Sequence, residues 1–227
     1  MNTEALAAFA TKDAARRAAA PKWRPPEMTD FHYDPFWGRD VVAVDPSLRA
    51  FGAVFLTISS VKDQSPHVRV HAARKFTSAE GDATGWEANF QRAMQVGHDF
   101  RLWLSEDVFA GHARIRLEIV HEQPPTGGGR IIRPEATILG GFATRIAARD
   151  IGVLTQRMVA PLSHKNLFCG PRKPGEKGVT KAEHHAALKE TAGRLGISGM
   201  DLITNEATRD ALSIGLLHLT RPPLEAR

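Results

Sequence analysis

Two apolar runs separated by a short break stand out in the hydrophobic pattern of the first third of the chain. Residues 41–44 are all apolar and mostly β-branched, this run ends at Asp45-Pro46, and residues 51–58 form the second run. The pattern predicts two antiparallel strands joined by a tight turn. The first strand is apolar on both faces, so we expect it to lie in the middle of a sheet that is covered on both sides.

The rest of the pattern predicts three further strands and several helices. Strands are expected over residues 67–77, 113–122 and 157–160, and helices over residues 3–20, 84–107, 135–149, 180–195 and 205–219. The segment 84–107 is compatible with one helix or with a broken pair. Three strands in succession, followed by alternating helices and strands, predict an α/β protein with a mixed sheet and helices on both faces.

The domain organisation follows from the same pattern. We expect residues 1–38 to form a helix and an extended arm, residues 39–222 to form one domain, and residues 223–227 to be a tail. The arm contains four prolines after residue 20 and an aromatic cluster, Phe31, Tyr33, Phe36 and Trp37. We expect these aromatic side chains to fix the arm to the domain, and base stacking is the alternative.

Composition and charge narrow the class of protein. The single cysteine, Cys169, excludes an internal disulfide and a cysteine-based zinc finger, and it fits a reducing cytoplasm. No apolar run has the length of a membrane span, so no membrane partner is expected. The net charge is +5, and residues 151–200 hold eight Lys and Arg against three Glu. Such a local surplus predicts a polyanionic partner, with nucleic acid first.

Carboxylates at the ends of predicted elements are candidates for a metal site. Asp45 ends the first strand, Glu122 ends the fourth strand, and Asp210 lies in the second turn of the last helix. A two-metal nuclease needs carboxylates from separate elements, and oxygen ligands suit Mg²⁺. Glu118 is an alternative to Glu122 because it lies on the same strand face, and Glu206 lies one helical turn before Asp210.

The ten histidines do not follow a known metal-binding pattern. His184 and His185 are neighbours on a predicted helix, so we expect them to point apart. No pair has the His-x3-His spacing followed by an acid that marks a zinc protease. We therefore interpret most histidines as structural or phosphate-contacting and do not expect a zinc site.

Six short motifs, in order along residues 41–219, resemble the RuvC family of Holliday-junction resolvases within the RNase H-like superfamily. They are VVAVDPSLRAFGAVFL, IVHEQPP, EATILGGFATRIA, SHKNLFCG, GVTKAEHH and RDALSIGLLH. The resemblance implies an RNase H-like mixed sheet of five strands, three antiparallel and then parallel ones. It also implies Mg²⁺-dependent hydrolysis of branched DNA, with Mn²⁺ as a possible substitute, by a homodimer. We expect a DNA-associated, cytoplasmic protein of a bacterium or an infecting phage.

The resemblance also implies site residues. The expected catalytic residues are Asp45, Glu122, Asp210, Glu206, Lys165 and Lys181, of which Glu206 is a candidate. The four carboxylates among them are the expected metal ligands. Lys165 and Lys181 are expected to contact DNA near the scissile phosphate. The full set of expected DNA contacts is Lys165, Arg172, Lys173, Lys177, Lys181, Arg130 and Arg133.

Three features depart from the family pattern. Ala207 stands where the family has an acid or a histidine, so that Glu206 replaces it or the second metal is held more weakly. Pro125 stands where the family has an aromatic residue that helps to open the junction; Ile131, Ile132 and Phe142 are the candidates to replace it. The arm of residues 1–38 has no counterpart. Two further functions stay open: a catalytically weak DNA-binding or scaffold protein, and a nuclease for flaps or RNA–DNA hybrids.

Overall fold

The structure is a computed structural model that describes residues 23–48, 50–60, 65–78, 85–109, 117–123, 134–150, 156–160, 163–172 and 175–223. The expected helix over residues 3–20 lies outside these ranges. Three of the expected DNA contacts also lie outside them: Arg130, Arg133 and Lys173. The same holds for Pro125, which stands at the position of the family's aromatic residue, and for its candidate replacements Ile131 and Ile132.

A five-stranded mixed sheet is the centre of the fold. The strands are β1 (Arg39–Asp45), β2 (Phe51–Ser59), β3 (His67–Phe76), β4 (Leu117–Glu122) and β5 (Gln156–Val159). Their order in the sheet is β3-β2-β1-β4-β5. The pairs β1–β2 and β2–β3 are antiparallel, whereas β1–β4 and β4–β5 are parallel. The predicted RNase H-like sheet is therefore confirmed, with β1 in its centre.

Five α-helices are present in the described part of the chain: α1 (Trp86–Trp103), α2 (Pro134–Asp150), α3 (Ser163–Cys169), α4 (Lys181–Arg194) and α5 (Glu206–Leu219). The segment predicted as one helix or a broken pair is a single helix, α1, which continues into a π-helical turn at Leu104–Val108. Thr180 caps α4 and Asn205 caps α5, each by accepting a hydrogen bond from a backbone N–H of the first helical turn. Helix α3 was not predicted, because seven residues are too few to show a helical period.

The two faces of the sheet carry separate hydrophobic cores. Val41 and Ala43 of β1 belong to the core that includes Leu212 of α5, whereas Val42 and Val44 belong to the core that includes Phe100 of α1. The four β1 residues are fully buried. This confirms that the first apolar run is a central strand covered on both sides.

Glycines allow two helices to approach the end of β1 closely. Gly52, which pairs with Asp45, lies against the backbone of Ala207 in α5. Gly140 of α2 lies against the carbonyl of Pro46. Both contacts leave no room for a Cβ atom. The small residues of α2 are thus used inside the chain, and they hold α2 and α5 beside the turn that follows Asp45.

The described part of the arm contacts the domain at several points. Phe31 is buried in the core beside α5, and the indole of Trp23 packs on Gly170. Phe36 and Trp37, in contrast, are 90% and 77% exposed. Among the described residues, no helix is long and apolar enough to cross a lipid bilayer.

Candidate metal centre

Asp45, Glu122 and Asp210 come from three elements that meet at one edge of the sheet. Asp45 is the last residue of β1, and Glu122 is the last residue of the neighbouring parallel strand β4. Asp210 lies on α5, one turn after the residue that contacts Gly52 beside Asp45. Because parallel strands end at the same edge, this topology brings the two strand carboxylates and the helix carboxylate together.

The pKa of Asp45 reflects the closeness of the other two carboxylates. Burial and, after it, the negative charges of Asp210 and Glu122 raise the pKa of Asp45 to about 7, against the lowering effects of the Ser47 amide and Lys165. Three acids within electrostatic range of one another are destabilising unless a cation neutralises them. Their oxygen atoms are the donors that Mg²⁺ and Mn²⁺ prefer. The residues at this edge therefore fit a divalent cation.

Asp210 is held by two imidazole rings of α4. His185 Nε2 lies 3.3 Å and His184 Nδ1 lies 3.4 Å from the same oxygen, Oδ1. Burial alone would raise the pKa of Asp210, but His184 and His185 outweigh it and lower the pKa to about 2. Asp210 is therefore ionised at neutral pH. Our expectation that the two neighbouring histidines point apart was wrong, because α5 packs where rings about 100° apart on α4 both reach it.

His164 on α3 completes a group of possible ligands that sequence analysis did not find. Its Nδ1 lies 3.9 Å from Glu122 Oε1, and its ring centroid lies 5.4 Å from that of His184. The possible ligand atoms of His164, His184 and Asp210 all lie within 4.8 Å of one another. A sequence signal for His184 existed, since it shares the buried side of α4 with Leu188, one turn later.

Glu118, the alternative to Glu122, is not part of this group. It lies four residues earlier on β4, which corresponds to about 13 Å along a strand. Its buried carboxylate accepts hydrogen bonds from Arg39 Nε and Nη2 at 2.7 and 2.9 Å, and from His218 Nε2 at 2.7 Å. Of the two candidates on β4, Glu122 is therefore the one beside Asp45, and Glu118 belongs to a buried ion pair.

Glu206 is exposed and forms an ion pair with Lys181. This hydrogen bond raises the pKa of Lys181, and the charges of Asp210 and Asp45 add to the effect. Lys181 thus lies near the carboxylates of Asp45 and Asp210. The carboxylate of Glu206 instead pairs with Lys181, and it is not in the group of possible ligands formed by His164, His184 and Asp210. Ala207 is buried against Gly52, so the position three residues before Asp210 offers neither a ligand nor space for a longer side chain.

The remaining expected DNA contacts lie close to these elements in the chain. Lys165 is on α3 next to His164, and its charge acts on Asp45. Arg172 follows α3 and forms an ion pair of 3.0 Å with Glu183 in the first turn of α4. Lys177 is exposed in the loop that leads to α4.

No protein-family model matches the chain, and no curated protein matches it in sequence. Solved structures do match. RuvC of Thermus thermophilus superposes with a TM-score of 0.55 at 15% identity, covering 80% of this chain and 93% of that chain. The chain has a RuvC-like fold. The resemblance inferred from the six motifs is thereby confirmed for the fold.

Two further structures support the RuvC-like fold. The T. thermophilus RuvC in complex with a Holliday junction substrate gives a TM-score of 0.53 at 15% identity, over 80% of this chain and 93% of that one. The yeast mitochondrial Holliday junction resolvase Ydc2 gives 0.50 at 11% identity, over 85% and 83%. Identities this low establish the fold alone.

Proposed function

We propose that this protein is a divalent-metal-dependent endonuclease that cleaves branched DNA, with the Holliday junction as its leading substrate. The observation that carries the proposal is the electrostatic coupling of Asp45, Glu122 and Asp210 at the sheet edge of a RuvC-like fold. The substrate class is supported by the neighbours, one of which was solved with a Holliday junction.

In this proposal each residue has a defined role. Asp45, Glu122 and Asp210 hold Mg²⁺ or Mn²⁺. A cation bound there supplies an activated water and neutralises charge on the scissile phosphate. Lys181 and Lys165 bind phosphate oxygens beside the carboxylates, and the raised pKa of Lys181 keeps its ammonium group charged. Arg172 and Lys177 extend this positive surface along the DNA backbone.

Cleavage assays on matched substrates test the proposal. A four-way junction, a flap, an RNA–DNA hybrid and a linear duplex are incubated with wild type over a Mg²⁺ titration, and Asp45→Asn is assayed in parallel. We expect metal-dependent cleavage of the junction by wild type. We expect Asp45→Asn to lose at least a thousandfold in rate, which is about 4 kcal/mol of transition-state stabilisation. DNA binding should persist, because a negative charge facing phosphates has been removed.

Asp40→Asn is the matched control, because Asp40 lies at the opposite end of the same strand. It should cleave like wild type. A scaffold protein would bind the junction but cleave no substrate at any metal concentration. Preferred cleavage of the flap or the hybrid would replace the substrate assignment, and full activity of Asp45→Asn would remove the metal site from the mechanism.

We also propose that the protein acts as a homodimer. Two apolar stripes with a spacing of four residues are exposed on neighbouring helices: Trp86, Phe90 and Met94 on α1, and Ile138, Phe142 and Ile146 on α2. The two helices pack together, with Gly97 against Ala143. Six large apolar side chains on one pair of helices favour a protein partner. A second copy of the chain is the partner that the resemblance to dimeric resolvases implies.

A further inference from the structure

We propose that His164, His184 and Asp210 form a second cation site, next to the carboxylates of Asp45 and Glu122, which binds a divalent transition-metal ion in preference to Mg²⁺. Its part in catalysis rests on the proposed nuclease function. Its existence as a metal site does not, because it follows from the geometry of the three side chains.

The first argument is that two buried imidazole rings lack hydrogen-bond partners. His164 and His184 are 2% and 0% exposed, and no ring nitrogen of either makes a hydrogen bond of good geometry with the described residues. Their nearest carboxylate contacts are the 3.9 Å from His164 Nδ1 to Glu122 Oε1 and the 3.4 Å from His184 Nδ1 to Asp210 Oδ1. Leaving a buried polar group without a partner destabilises the folded protein. Nitrogen lone pairs directed at a shared cation would satisfy both rings at once.

The second argument is geometric. Each of the three ligands lies on a different helix, His164 on α3, His184 on α4 and Asp210 on α5, and these helices pack against one another. Their possible ligand atoms lie within 4.8 Å of one another. Two ligands bound to one ion at about 2.1 Å each are at most about 4.2 Å apart, so shifts of less than about 1 Å are enough.

The third argument is the chemistry of the donors. Asp210 supplies the negative charge. Two imidazole nitrogens with one carboxylate suit Co²⁺, Ni²⁺ or Zn²⁺, whereas Mg²⁺ and Mn²⁺ prefer an all-oxygen set. The carboxylate site of Asp45 and Glu122 has that all-oxygen character.

The alternative role of His164 and His184 is structural and involves no metal. His164 and His184 could serve only to position Asp210, as His185 does through its hydrogen bond of 3.3 Å. Ligands and positioning residues differ in one observable, which is direct coordination of nitrogen to the metal. The test therefore measures coordination in the absence of DNA, independently of cleavage.

The experiment uses the full chain without a histidine tag. Co²⁺ is titrated and its visible absorption bands are recorded, and the wild-type protein loaded with one equivalent of Zn²⁺ is examined by X-ray absorption spectroscopy. We expect the multiple-scattering signal of coordinated imidazole in the wild type. His164→Gln and His184→Gln should each weaken Co²⁺ binding at least tenfold, whereas Mg²⁺ binding at the carboxylates should change little. His98→Gln, which alters an exposed histidine on α1, should bind like wild type.

The proposal is overturned if Zn²⁺ in the wild type shows no imidazole coordination, or if folded His164→Gln and His184→Gln proteins bind Co²⁺ as the wild type does. The wild-type measurement decides the question even if either variant fails to fold. Absence of cleavage together with nitrogen coordination would refute the nuclease function and leave the metal site in place. Cleavage without nitrogen coordination would refute the metal site of His164 and His184 and leave the nuclease function in place.

Discussion

At the scale of single residues, Glu118 and Glu122 show how environment separates two similar side chains. Both lie on the same face of β4, yet Glu118 is 4% exposed and bonded to Arg39 and His218, whereas Glu122 lies at the sheet edge near Asp45. Burial would raise the pKa of Glu118, but the hydrogen bonds of His218 and Arg39 lower it to about 2. Strand alternation predicts their shared face but not these partners, which lie 79 and 100 residues away in the chain.

We predict that Glu118→Gln and Glu122→Gln fail in opposite ways. Glu118→Gln leaves the buried guanidinium of Arg39 without its anion and should lower the free energy of unfolding by about 3–5 kcal/mol. Glu122→Gln should unfold at a urea concentration close to that of wild type but lose cleavage, because a proposed metal ligand is gone. Urea unfolding and a junction cleavage assay on both variants are the measurements. A stable Glu118→Gln protein, or an active Glu122→Gln protein, would reverse the assignment.

The pH dependence of unfolding provides a second check on Glu118. Its pKa is lower in the folded state than the usual value of about 4.3, so its stabilisation is fully present above pH ~4.3 and is lost as pH falls towards 2. His218 acts in the same direction, because burial lowers its pKa and acid therefore favours the unfolded chain. Arg39 and Arg157 are the cations that face this pair. The stability difference between wild type and Glu118→Gln should shrink as the pH approaches 2.

At the scale of elements, the distance between α5 and the sheet sets the position of Asp210. Gly52 on β2 and Ala207 on α5 touch through their backbones, and Gly215 further along α5 packs on Leu56 and Ala43. These contacts place the first two turns of α5 directly over the end of β1. The position of Asp210 therefore depends on the absence of a side chain at residue 52.

We predict that Gly52→Ala displaces α5 and weakens the site. A methyl group there meets the backbone of Ala207, so we expect a loss of about 1–3 kcal/mol in stability and a lower cleavage rate. The matched control is Gly193→Ala in α4, where a Cβ atom meets nothing within 4 Å and should stabilise the helix by about 0.5–1 kcal/mol. Thermal unfolding and cleavage rates distinguish the two. Unchanged stability in Gly52→Ala would show that the helix can shift at no cost.

Element prediction from sequence succeeded where local signals are strong. The runs on β1 and β2 have the composition of buried strands, and the capping residues Thr180 and Asn205 mark the starts of α4 and α5. Helix α3 is too short for such a signal. The contacts of His164 and His184 form only when α3, α4 and α5 pack together. The hydrophobic pattern along a single helix cannot predict such packing between helices. The sequence thus predicted three carboxylates that the fold places at one sheet edge, but it did not predict the imidazole rings beside them.

At the scale of the whole molecule, positive charge is concentrated on one segment. Lys165, Lys177 and Lys181 lie in or between α3 and α4. Lys165 and Lys181 interact electrostatically with Asp45. A positive surface beside a group of acids fits a substrate whose backbone is anionic but whose cleavage needs a cation. If these lysines contact phosphates, each one contributes to the salt dependence of the DNA affinity, and substituting it should reduce that dependence.

We predict that Lys165→Ala combined with Lys177→Ala weakens DNA binding for all sequences. If each lysine contacts one phosphate, the slope of log K against log salt should fall in magnitude by about two units. Arg69→Ala removes an exposed charge near the other end of the sheet and should leave the slope unchanged. Fluorescence anisotropy from 50 to 300 mM salt is the measurement. An unchanged slope in the double variant would mean that this surface faces solvent rather than DNA.

The last prediction concerns assembly. Phe142 is 56% exposed in the middle of its stripe on α2, so in the proposed dimer it lies at the interface. Phe142→Asp places a charge there and should convert the dimer into a monomer, as measured by light scattering at micromolar concentration. Phe36→Asp introduces the same change at a residue that is 90% exposed in the arm, and it should stay dimeric. A wild type that is monomeric with and without junction DNA would contradict the prediction. If it holds, a monomeric Phe142→Asp protein retains the intact site of Asp45, Glu122 and Asp210, so it can nick one strand but not make paired cuts. Loss of paired cuts with retained nicking would therefore tie assembly to junction resolution.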